Sequence, residues 1–261
     1  MIDQTIQSIK HFFSATSFLR KHQLMHYYIY PIILCVVYYL LLISSIKFFS
    51  EYLLQHVFND YLTPIDKKIE GFWSFLSFFS IKKIAMVLTW LISFMLTTKF
   101  SKYVILILLS PVFAFLSEKV DEKLTGKQYP FDLFQLIKDV FRGVLIALRN
   151  LTIELFLIAI LTLSSFFAGP LAILLVPVLW LISSYFYGFS MMDYTSERRK
   201  YSISNSVQFV RKNKGIALGN GMMYSVFDMI PVVGIVFAPI NAVVGATISI
   251  IEKEKSITNT P

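Results

Sequence analysis

The stretch KGIALGNGMMYSVFDMIPVVGIVFAPINAVVGATISI, residues 214–250, decides the fold of this protein. It is apolar, yet Pro231, Gly234 and Pro239 interrupt its middle. A helix that crosses a bilayer needs about 20 apolar residues, whereas each half of this stretch offers only about 15 to 17. Proline cannot continue a helix, and glycine permits a tight turn. The stretch therefore predicts two short helices joined by a turn at membrane depth, a re-entrant hairpin over residues 214–252.

Small residues recur along both halves of this predicted hairpin, as close helix packing in lipid requires. They include Gly215, Gly219 and Gly221 in the first half, and Ala242 and Gly245 in the second. Broken backbone is tolerated at membrane depth only where protein or a water-filled cavity surrounds it. The remaining chain is therefore expected to form a scaffold around the hairpin.

The composition indicates an all-helical integral membrane protein with one domain, residues 1–261. The chain has 261 residues, of which 56% are hydrophobic and 16% aromatic, and its mean hydropathy is positive. Its net charge is +8, but lysines and arginines lie between apolar blocks and form no basic face. We therefore expect them to set membrane topology and to contact the lipid bilayer, and we expect no nucleic-acid partner.

The first element is an amphipathic helix over residues 2–19, with Ile2, Ile6, Ile9 and Phe13 at helical spacing. This pattern is typical of a helix that lies in the headgroup plane. The alternative is an amphipathic helix packed on the protein's own loops.

Two long transmembrane helices follow in the prediction, over residues 27–58 and 84–124. The first begins with interfacial tyrosines, and Pro31 lies near its start, where proline costs least. The second is longer than a bilayer is thick, so its end is expected to project into water, with Gly126 as its stop.

A first hairpin is predicted over residues 133–192, with its break at Gly169 and Pro170. The linker between the two hairpins, DYTSERRKYSISNSVQFVRKNKG, is rich in arginine and lysine and contains a short amphipathic helix at residues 204–211. This charge favours the cytoplasmic side. Both hairpins then dip into the membrane from the cytoplasm, and six full crossings are the alternative.

Three segments resemble the family of CysZ sulfate permeases and the related eukaryotic etoposide-induced membrane proteins. They are MIPVVGIVFAPINAVVGAT (residues 229–247), SPVFAFLSEKVDEKLTG (110–126) and VPVLWLISSYFYGFSMMDY (176–194). The resemblance extends in order over residues 15–252. It implies two long transmembrane helices with two hemi-penetrating hairpins, a homo-oligomer, and sulfate uptake for cysteine synthesis across the bacterial inner membrane.

The chain departs from this family just before its first span. CysZ-like sequences usually carry Pro-Gly-Leu followed by two basic residues there, and these are thought to hold sulfate. Aligned on Pro31, this chain instead reads HQLMH at residues 22–26, and Arg20 and Lys21 lie one turn earlier. Arg20 and Lys21 are therefore the candidates to replace the basic pair of the family.

Ionisable side chains within apolar helices are the other candidates for an anion pathway. Arg142 and Arg149 are seven residues apart, on one face of a helix, and are expected to replace the lost hydration of an anion. The alternative is that both reach lipid headgroups. Glu154 is a candidate partner of Arg149.

Further candidates lie on the predicted second long helix and in the second hairpin. Solvated pairing along the helix adequately explains the charges of Glu118, Lys119 and Glu122, and the resemblance implies a pore-mouth or gating role for them. Asp228 precedes the break and either pairs with a base, caps the turn or serves a cation or proton. Asn241 is expected to hydrogen-bond a neighbouring helix.

Catalysis has little support in the sequence. The four histidines, His11, His22, His26 and His56, have no metal-ligand spacing, and no phosphate loop or nucleophile elbow is present. We therefore expect no enzyme activity, cofactor or metal. The sequence predicts a permease for a small inorganic anion such as sulfate; a membrane scaffold that does not transport is the alternative.

Overall fold

The computed structural model of the protein describes residues 1–53, 104, 107–130, 132–230 and 233–258. Within these ranges the chain is helical and has no strand, which confirms the predicted all-helical class. The chain divides into two compact units, residues 1–34 with 106–261 and residues 35–105. Residues 35–53 of the second unit are helical and mostly apolar.

The described helices are α1 (Ile2–Lys21), α2 (Ile29–Leu53), α3 (Ser110–Thr125), α4 (Leu133–Ala168), α5 (Leu175–Arg198), α6 (Ile203–Lys212), α7 (Lys214–Asp228) and α8 (Val233–Thr258). Two 3-10 segments, Met25–Tyr28 and Gly169–Leu174, precede α2 and α5. Three stretches of the described chain are long and apolar enough to cross a membrane: Val140–Ser164, Ala172–Arg198 and Val236–Ser256. The protein is therefore an integral membrane protein.

The two predicted long helices lie partly outside the described residues. Of residues 27–58, the structure describes 27–53; of residues 84–124, it describes only 104 and 107–124. Helix α3 begins at Ser110 with Pro111 in its first turn. Backbone N–H groups in the first turn have no acceptor within the helix, so the missing N–H of proline costs little there. It ends at Gly126, the predicted stop, where φ is 74° and the Gly126 N–H donates to the Glu122 carbonyl at 2.9 Å.

Helix α8 is the centre of the first unit. Its residues from 238 to 251 are buried on every side, against α1, α3, α5 and α7. A helix that is hydrophobic all round needs such enclosure. The short polar side chains that it carries are satisfied within the fold, as where Thr247 donates to the Val243 carbonyl at 2.8 Å.

Helix α1 packs closely on α7 and α8. It buries Phe12 and Leu19 completely, and the Ser8 hydroxyl donates to the Ile216 carbonyl at 3.1 Å. A Cβ added at Gly219 would lie 2.4 Å from the Thr5 carbonyl oxygen, so α1 and α7 approach at a distance that only glycine permits. The position of α1 in the headgroup plane stays a prediction. The buried face of α1 packs against α7 and α8 of the protein itself.

Helices α5 and α7 cross at an equally short distance. A Cβ at Gly221 would lie 1.7 Å from the Ser184 carbonyl oxygen, and one at Gly188 would lie 1.8 Å from the Ala217 carbonyl oxygen. Small residues allow such backbone approach in membrane helices. These glycines position α5, which carries most of the buried polar groups described below.

The second hairpin turns between α7 and α8. The Gly234 N–H donates to the Ile230 carbonyl at 2.8 Å, and a Cβ at Gly234 would lie 2.0 Å from the Phe227 carbonyl oxygen. Gly234 therefore permits the two arms to touch at the turn. Pro231 lies outside the described residues, and Pro239 lies inside α8 rather than in the turn.

Candidate functional site

Helices α4 and α5 meet along a line of buried polar side chains. At the end of this line nearest the start of α4, Arg142 Nη1 and Nη2 donate to the two carboxylate oxygens of Asp193 at 2.9 and 3.0 Å. A second carboxylate, Glu197, lies 3.3 Å from Arg142 Nη1, and the Ser206 hydroxyl also donates to Asp193. The side chains of Asp193 and Glu197 are 4% and 1% exposed, so these charges are removed from water.

The line continues two turns further along α4. Arg149 Nη1 donates to the Asn150 side-chain oxygen at 3.0 Å, and the guanidinium lies 5.7 Å from the centre of the Phe189 ring. The amide nitrogen of Asn150, which is fully buried, donates to the Ser190 hydroxyl at 3.3 Å. This part of the line offers a half-buried guanidinium beside a buried amide and a buried hydroxyl.

Glu154 lies at the opposite end of the line from Arg142. The Ser183 hydroxyl donates to its carboxylate at 2.5 Å, and Glu154 is 1% exposed. Among the described residues Arg149 does not pair with Glu154, because residues five apart lie on different faces of a helix. We call the line of Arg142, Arg149, Asn150 and Glu154 of α4 with Ser183, Ser190 and Asp193 of α5 the polar seam. It covers about 18 Å of α4, at 1.5 Å per residue.

A cluster of ion pairs joins the helix ends at the Arg142 end of the seam. Arg198 pairs with Glu118 and lies 3.6 Å from Glu197, while Arg199 lies 3.0 Å from Asp121 and also pairs with Glu254. We call Arg142, Arg198 and Arg199 with these five carboxylates, Asp193 included, the ion-pair cluster. Three arginines face five carboxylates in it, so the cluster is not an anion-attracting surface.

The charges of the cluster shift the pKa of Arg199, one of its members, and that of Tyr129, which contacts it. Burial and the hydrogen bond from its hydroxyl to Asp121, at 2.7 Å, raise the pKa of Tyr129. Burial alone would lower the pKa of Arg199, but its pairs with Glu254 and Asp121 outweigh burial and raise that pKa. The cluster therefore holds α3, α5 and α8 together at one end.

The structure separates the three predicted pore-mouth residues. Glu118 belongs to the ion-pair cluster through Arg198. Lys119 and Glu122 instead pair with each other at 2.7 Å on the outer face of α3, and the hydrogen bond from Lys119 lowers the pKa of Glu122. The two interpretations from the sequence thus apply to different residues: Lys119 and Glu122 pair near solvent, and Glu118 contacts the buried site.

The predicted anion residues at the end of α1 lie outside the polar seam. Arg20 and Lys21 are exposed in the last turn of α1, where a positive charge complements the helix dipole. Burial, Lys21 and Lys123 of α3 together lower the pKa of the neighbouring His22. No hydrogen bond or ion pair of the described chain joins Arg20 or Lys21 to the seam.

The remaining predicted residues lie on α7 and α8. Asn241 accepts a hydrogen bond from Tyr28 at 2.5 Å, and its amide nitrogen donates to Thr16 at 3.1 Å, so it links α8 to the N-terminal segment. Asp228 is the last residue of α7, within electrostatic reach of Tyr187. No group of three His, Cys, Asp or Glu side chains in the described ranges is arranged to hold a metal.

Sequence reasoning missed the acidic partners of Arg142. It placed Asp193 and Glu197 in a cytoplasmic linker between the hairpins, whereas both lie in the last two turns of α5 and are buried. Their spacing of four residues, with Ser190 one turn earlier, forms a polar stripe on one helix face. That stripe is the feature of the sequence from which a buried polar face on α5 could have been predicted.

Comparison with known proteins identifies a family and several named relatives. The family model described as "Sulfate transporter CysZ/Etoposide-induced protein 2.4" matches residues 11–239. A protein of Vibrio parahaemolyticus named sulfate transporter CysZ is 31% identical over 146 residues, which are 53% of this chain and 56% of that protein. One of Pectobacterium atrosepticum with the same name is 28% identical over 153 residues, 58% of this chain and 55% of that protein.

The matched region thus spans about half the length of these curated relatives. The family is one of transporters and not of enzymes. Because the family model matches most of the chain, the protein belongs to the sulfate transporter CysZ/etoposide-induced protein 2.4 family.

Proposed function

We propose that this protein is a permease of the bacterial inner membrane that passes sulfate or a related small oxyanion and supports sulfur assimilation. The observation that carries the proposal is the polar seam, which runs between α4 and α5 through segments that are otherwise apolar. Ionisable groups at membrane depth are costly and usually mark a substrate path. The names of the bacterial relatives support an oxyanion as the substrate.

In this proposal the middle of the seam is the substrate site. An oxyanion that leaves water needs donors that replace its hydration. Arg149 contributes a guanidinium beside the buried amide of Asn150 and the hydroxyl of Ser190. Hydrogen bonds from charged donors to an anion are about twice as strong as neutral ones, so Arg149 is the residue expected to matter most.

Arg142 has a different role in the proposal. Its guanidinium is bound in the described state by Asp193 and Glu197, so a substrate anion must displace a carboxylate to reach it. We therefore assign Arg142 and Asp193 to a closed gate at one end of the seam. Glu118 acts on the same gate through Arg198. Arg20 and Lys21, with Lys119 and Glu122, belong to the rim of the mouth.

The membrane arrangement in the proposal keeps the second hairpin re-entrant. Helix α7 has 15 residues, which gives a length of about 22 Å against a hydrocarbon core of about 30 Å. Its tip is apolar, with Met229 67% exposed, as expected for a turn in lipid. Asp228, near the tip, is then an intramembrane acid beside Tyr187.

The first hairpin leaves both predicted topologies open. Its arms, α4 with 36 residues and α5 with 24, are each long enough for a full crossing. Its tip is also apolar, because Phe167 is 94% exposed and Ile173 is 73% exposed. The proposal retains the hemi-penetrating arrangement and the homo-oligomer that the family resemblance implies.

Uptake of labelled sulfate by proteoliposomes that contain the pure protein tests the function. We expect uptake above that of empty vesicles, with competition from other tetrahedral oxyanions and none from chloride at equal concentration. Uptake equal to that of empty vesicles would contradict the proposal.

Two matched variants locate the pathway. Arg149→Gln removes the guanidinium from the seam, and we expect it to abolish most of the uptake. Lys138→Gln is the control, since Lys138 lies on the same helix, is exposed and also lies over a ring, 4.4 Å from the centre of Phe134. Equal uptake by the two variants would exclude the seam as the pathway.

A membrane scaffold is the second candidate function, favoured by one observation. The ion-pair cluster joins four helices at one end of the molecule, as a rigid platform for partners would require. Arg149→Gln separates the candidates, because it is expected to abolish flux while it leaves the ion-pair cluster and protein assembly intact.

A further inference from the structure

A basic groove lies at the corner between α6 and α7, and none of its lining residues belongs to the polar seam. Its cavity has a volume of about 290 Å³ and is lined by Met1, Tyr185, Arg211, Lys214 and Leu218. The lining therefore combines two cationic side chains with an aromatic ring and aliphatic side chains. This combination matches an amphiphile with an anionic head.

The two cations of the groove differ from the arginines of the ion-pair cluster. Arg211 and Lys214 are exposed, and neither forms an ion pair in the part of the chain that the structure describes. Asp3, two residues from Met1, forms none with them either. Arg142, Arg198 and Arg199, in contrast, each contact two carboxylates. The charge of the groove is therefore available to a ligand.

The start of α7 adds to this positive charge. Lys214 is the first residue of a 15-residue helix, and the side chain of Asn213, which precedes it, does not cap that helix. The Asn213 amide nitrogen instead donates to the Phe209 carbonyl at 3.0 Å. The Ile216 N–H donates to the Asn213 carbonyl at 2.9 Å. The N–H groups at the very start of α7 are therefore those of Lys214 and Gly215, where the helix dipole favours an anion.

The apolar wall places the groove at the membrane. Tyr185 belongs to Ala172–Arg198, one of the stretches long and apolar enough to cross a bilayer. Arg211 and Arg149 both lie within electrostatic reach of its hydroxyl. Leu218 lies one turn into α7, on the face that also carries Lys214. The groove therefore leads from basic side chains to an apolar surface.

From these observations we propose that Arg211 and Lys214 bind the phosphate of an anionic phospholipid whose acyl chains lie against Tyr185 and Leu218. Free sulfate or phosphate has the same head chemistry, but neither would use the apolar wall. The site is separate from the polar seam and stands without the proposed transport function.

The test measures binding of dioleoylphosphatidylglycerol and dioleoylphosphatidylcholine to the full chain in detergent, by native mass spectrometry. Arg211→Gln with Lys214→Gln is the groove variant. Lys200→Gln with Lys212→Gln is the control, because it removes the same charge from the same linker outside the groove. Circular dichroism and gel filtration check that both variants fold.

We expect the native chain to prefer phosphatidylglycerol and the groove variant to lose on the order of 10-fold in its affinity, with a change under about twofold in the control. Equal losses in both variants would mean non-specific attraction and would overturn the proposal. So would an unchanged groove variant. Binding of inorganic phosphate or sulfate with the same dependence on Arg211 and Lys214, without binding of the lipid, would assign the groove to a free oxyanion instead.

Discussion

Arg142 holds Asp193 through two parallel hydrogen bonds, from Nη1 at 2.9 Å and from Nη2 at 3.0 Å, across 51 residues of chain. The pair joins the first arm of the long hairpin to the second, near the end where the ion-pair cluster lies. A substitution at Arg142 therefore affects stability as well as any role in transport, because Asp193 and Glu197 stay buried after they lose this guanidinium.

The first prediction concerns that pair. Arg142→Gln is expected to lower the free energy of unfolding by about 3–5 kcal/mol, because it removes the guanidinium that pairs with two buried carboxylates. Arg142→Gln combined with Asp193→Asn is expected to recover part of that loss. Chemical unfolding in detergent measures both values. A single variant as stable as the native chain would show that the pair contributes nothing, and a lack of coupling in the double variant would contradict the contact.

The second prediction concerns the crossing of α5 and α7. Gly221→Ala places a Cβ where the Ser184 carbonyl oxygen lies 1.7 Å away, so the helices must separate. We expect a loss of about 4 kcal/mol or more, visible as aggregation or failure to accumulate in the membrane. Gly143→Ala is the control, since its nearest neighbour would lie at an ordinary 3.7 Å. If Gly221→Ala accumulated in the membrane and resisted aggregation as well as Gly143→Ala, the short distance between α5 and α7 would be contradicted.

The third prediction concerns the acid of the polar seam. Glu154→Gln removes a negative charge and keeps the shape that accepts a hydrogen bond from Ser183. If oxyanions pass through the seam, we expect faster sulfate uptake by this variant, opposite to the effect of Arg149→Gln, because a carboxylate repels an anion at short range. The two flux measurements use the same proteoliposomes. Slower uptake by both variants would show that Glu154 does not oppose the passing charge.

The fourth prediction is a pH dependence at Tyr129. Burial and the hydrogen bond to Asp121 raise the pKa of this phenol in the folded state, so the stability that they contribute is present below the unfolded pKa of about 10. Above that pH the unfolded phenol ionises first, and the contribution is lost as pH rises. The native chain is expected to exceed Tyr129→Phe by about 1 kcal/mol near neutral pH.

The measurement for Tyr129 is the difference in unfolding free energy between these two chains at pH 8, 9, 10 and 11. We expect the difference to be constant at first and to narrow above about pH 10. A difference that grew with pH would mean that the folded state favours the ionised phenol, contrary to the contact with Asp121.

The stop of α3 shows what local sequence can predict. Gly126 ends the helix in the left-handed conformation that glycine adopts most readily, and this position depends on no distant part of the chain. The amphipathic helix between the hairpins is equally local, because the Ser202 hydroxyl caps α6 by accepting from the Asn205 N–H at 3.2 Å.

Charged residues show the limit of prediction from the sequence. The sequence assigned Asp193, Glu197, Arg198 and Arg199 to a cytoplasmic linker, but the structure distributes them over a buried cluster with residues up to 80 positions away. Spacing along one helix cannot tell whether a charge faces water or a partner on another helix. Arg149 and Glu154, candidate partners from the sequence, are five residues apart and therefore lie on different faces of α4.

By itself the sequence determined that this is an all-helical integral membrane protein with a helix that stops at Gly126, because hydropathy and backbone restrictions act within a few residues. Tertiary structure alone decided that Arg142 faces Asp193 and that Arg211 and Lys214 remain without an acidic partner in the described chain. The reason is that a charge interacts with whatever the packing of helices brings within a few ångströms, and that packing depends on contacts between distant residues such as Gly221 and Ser184.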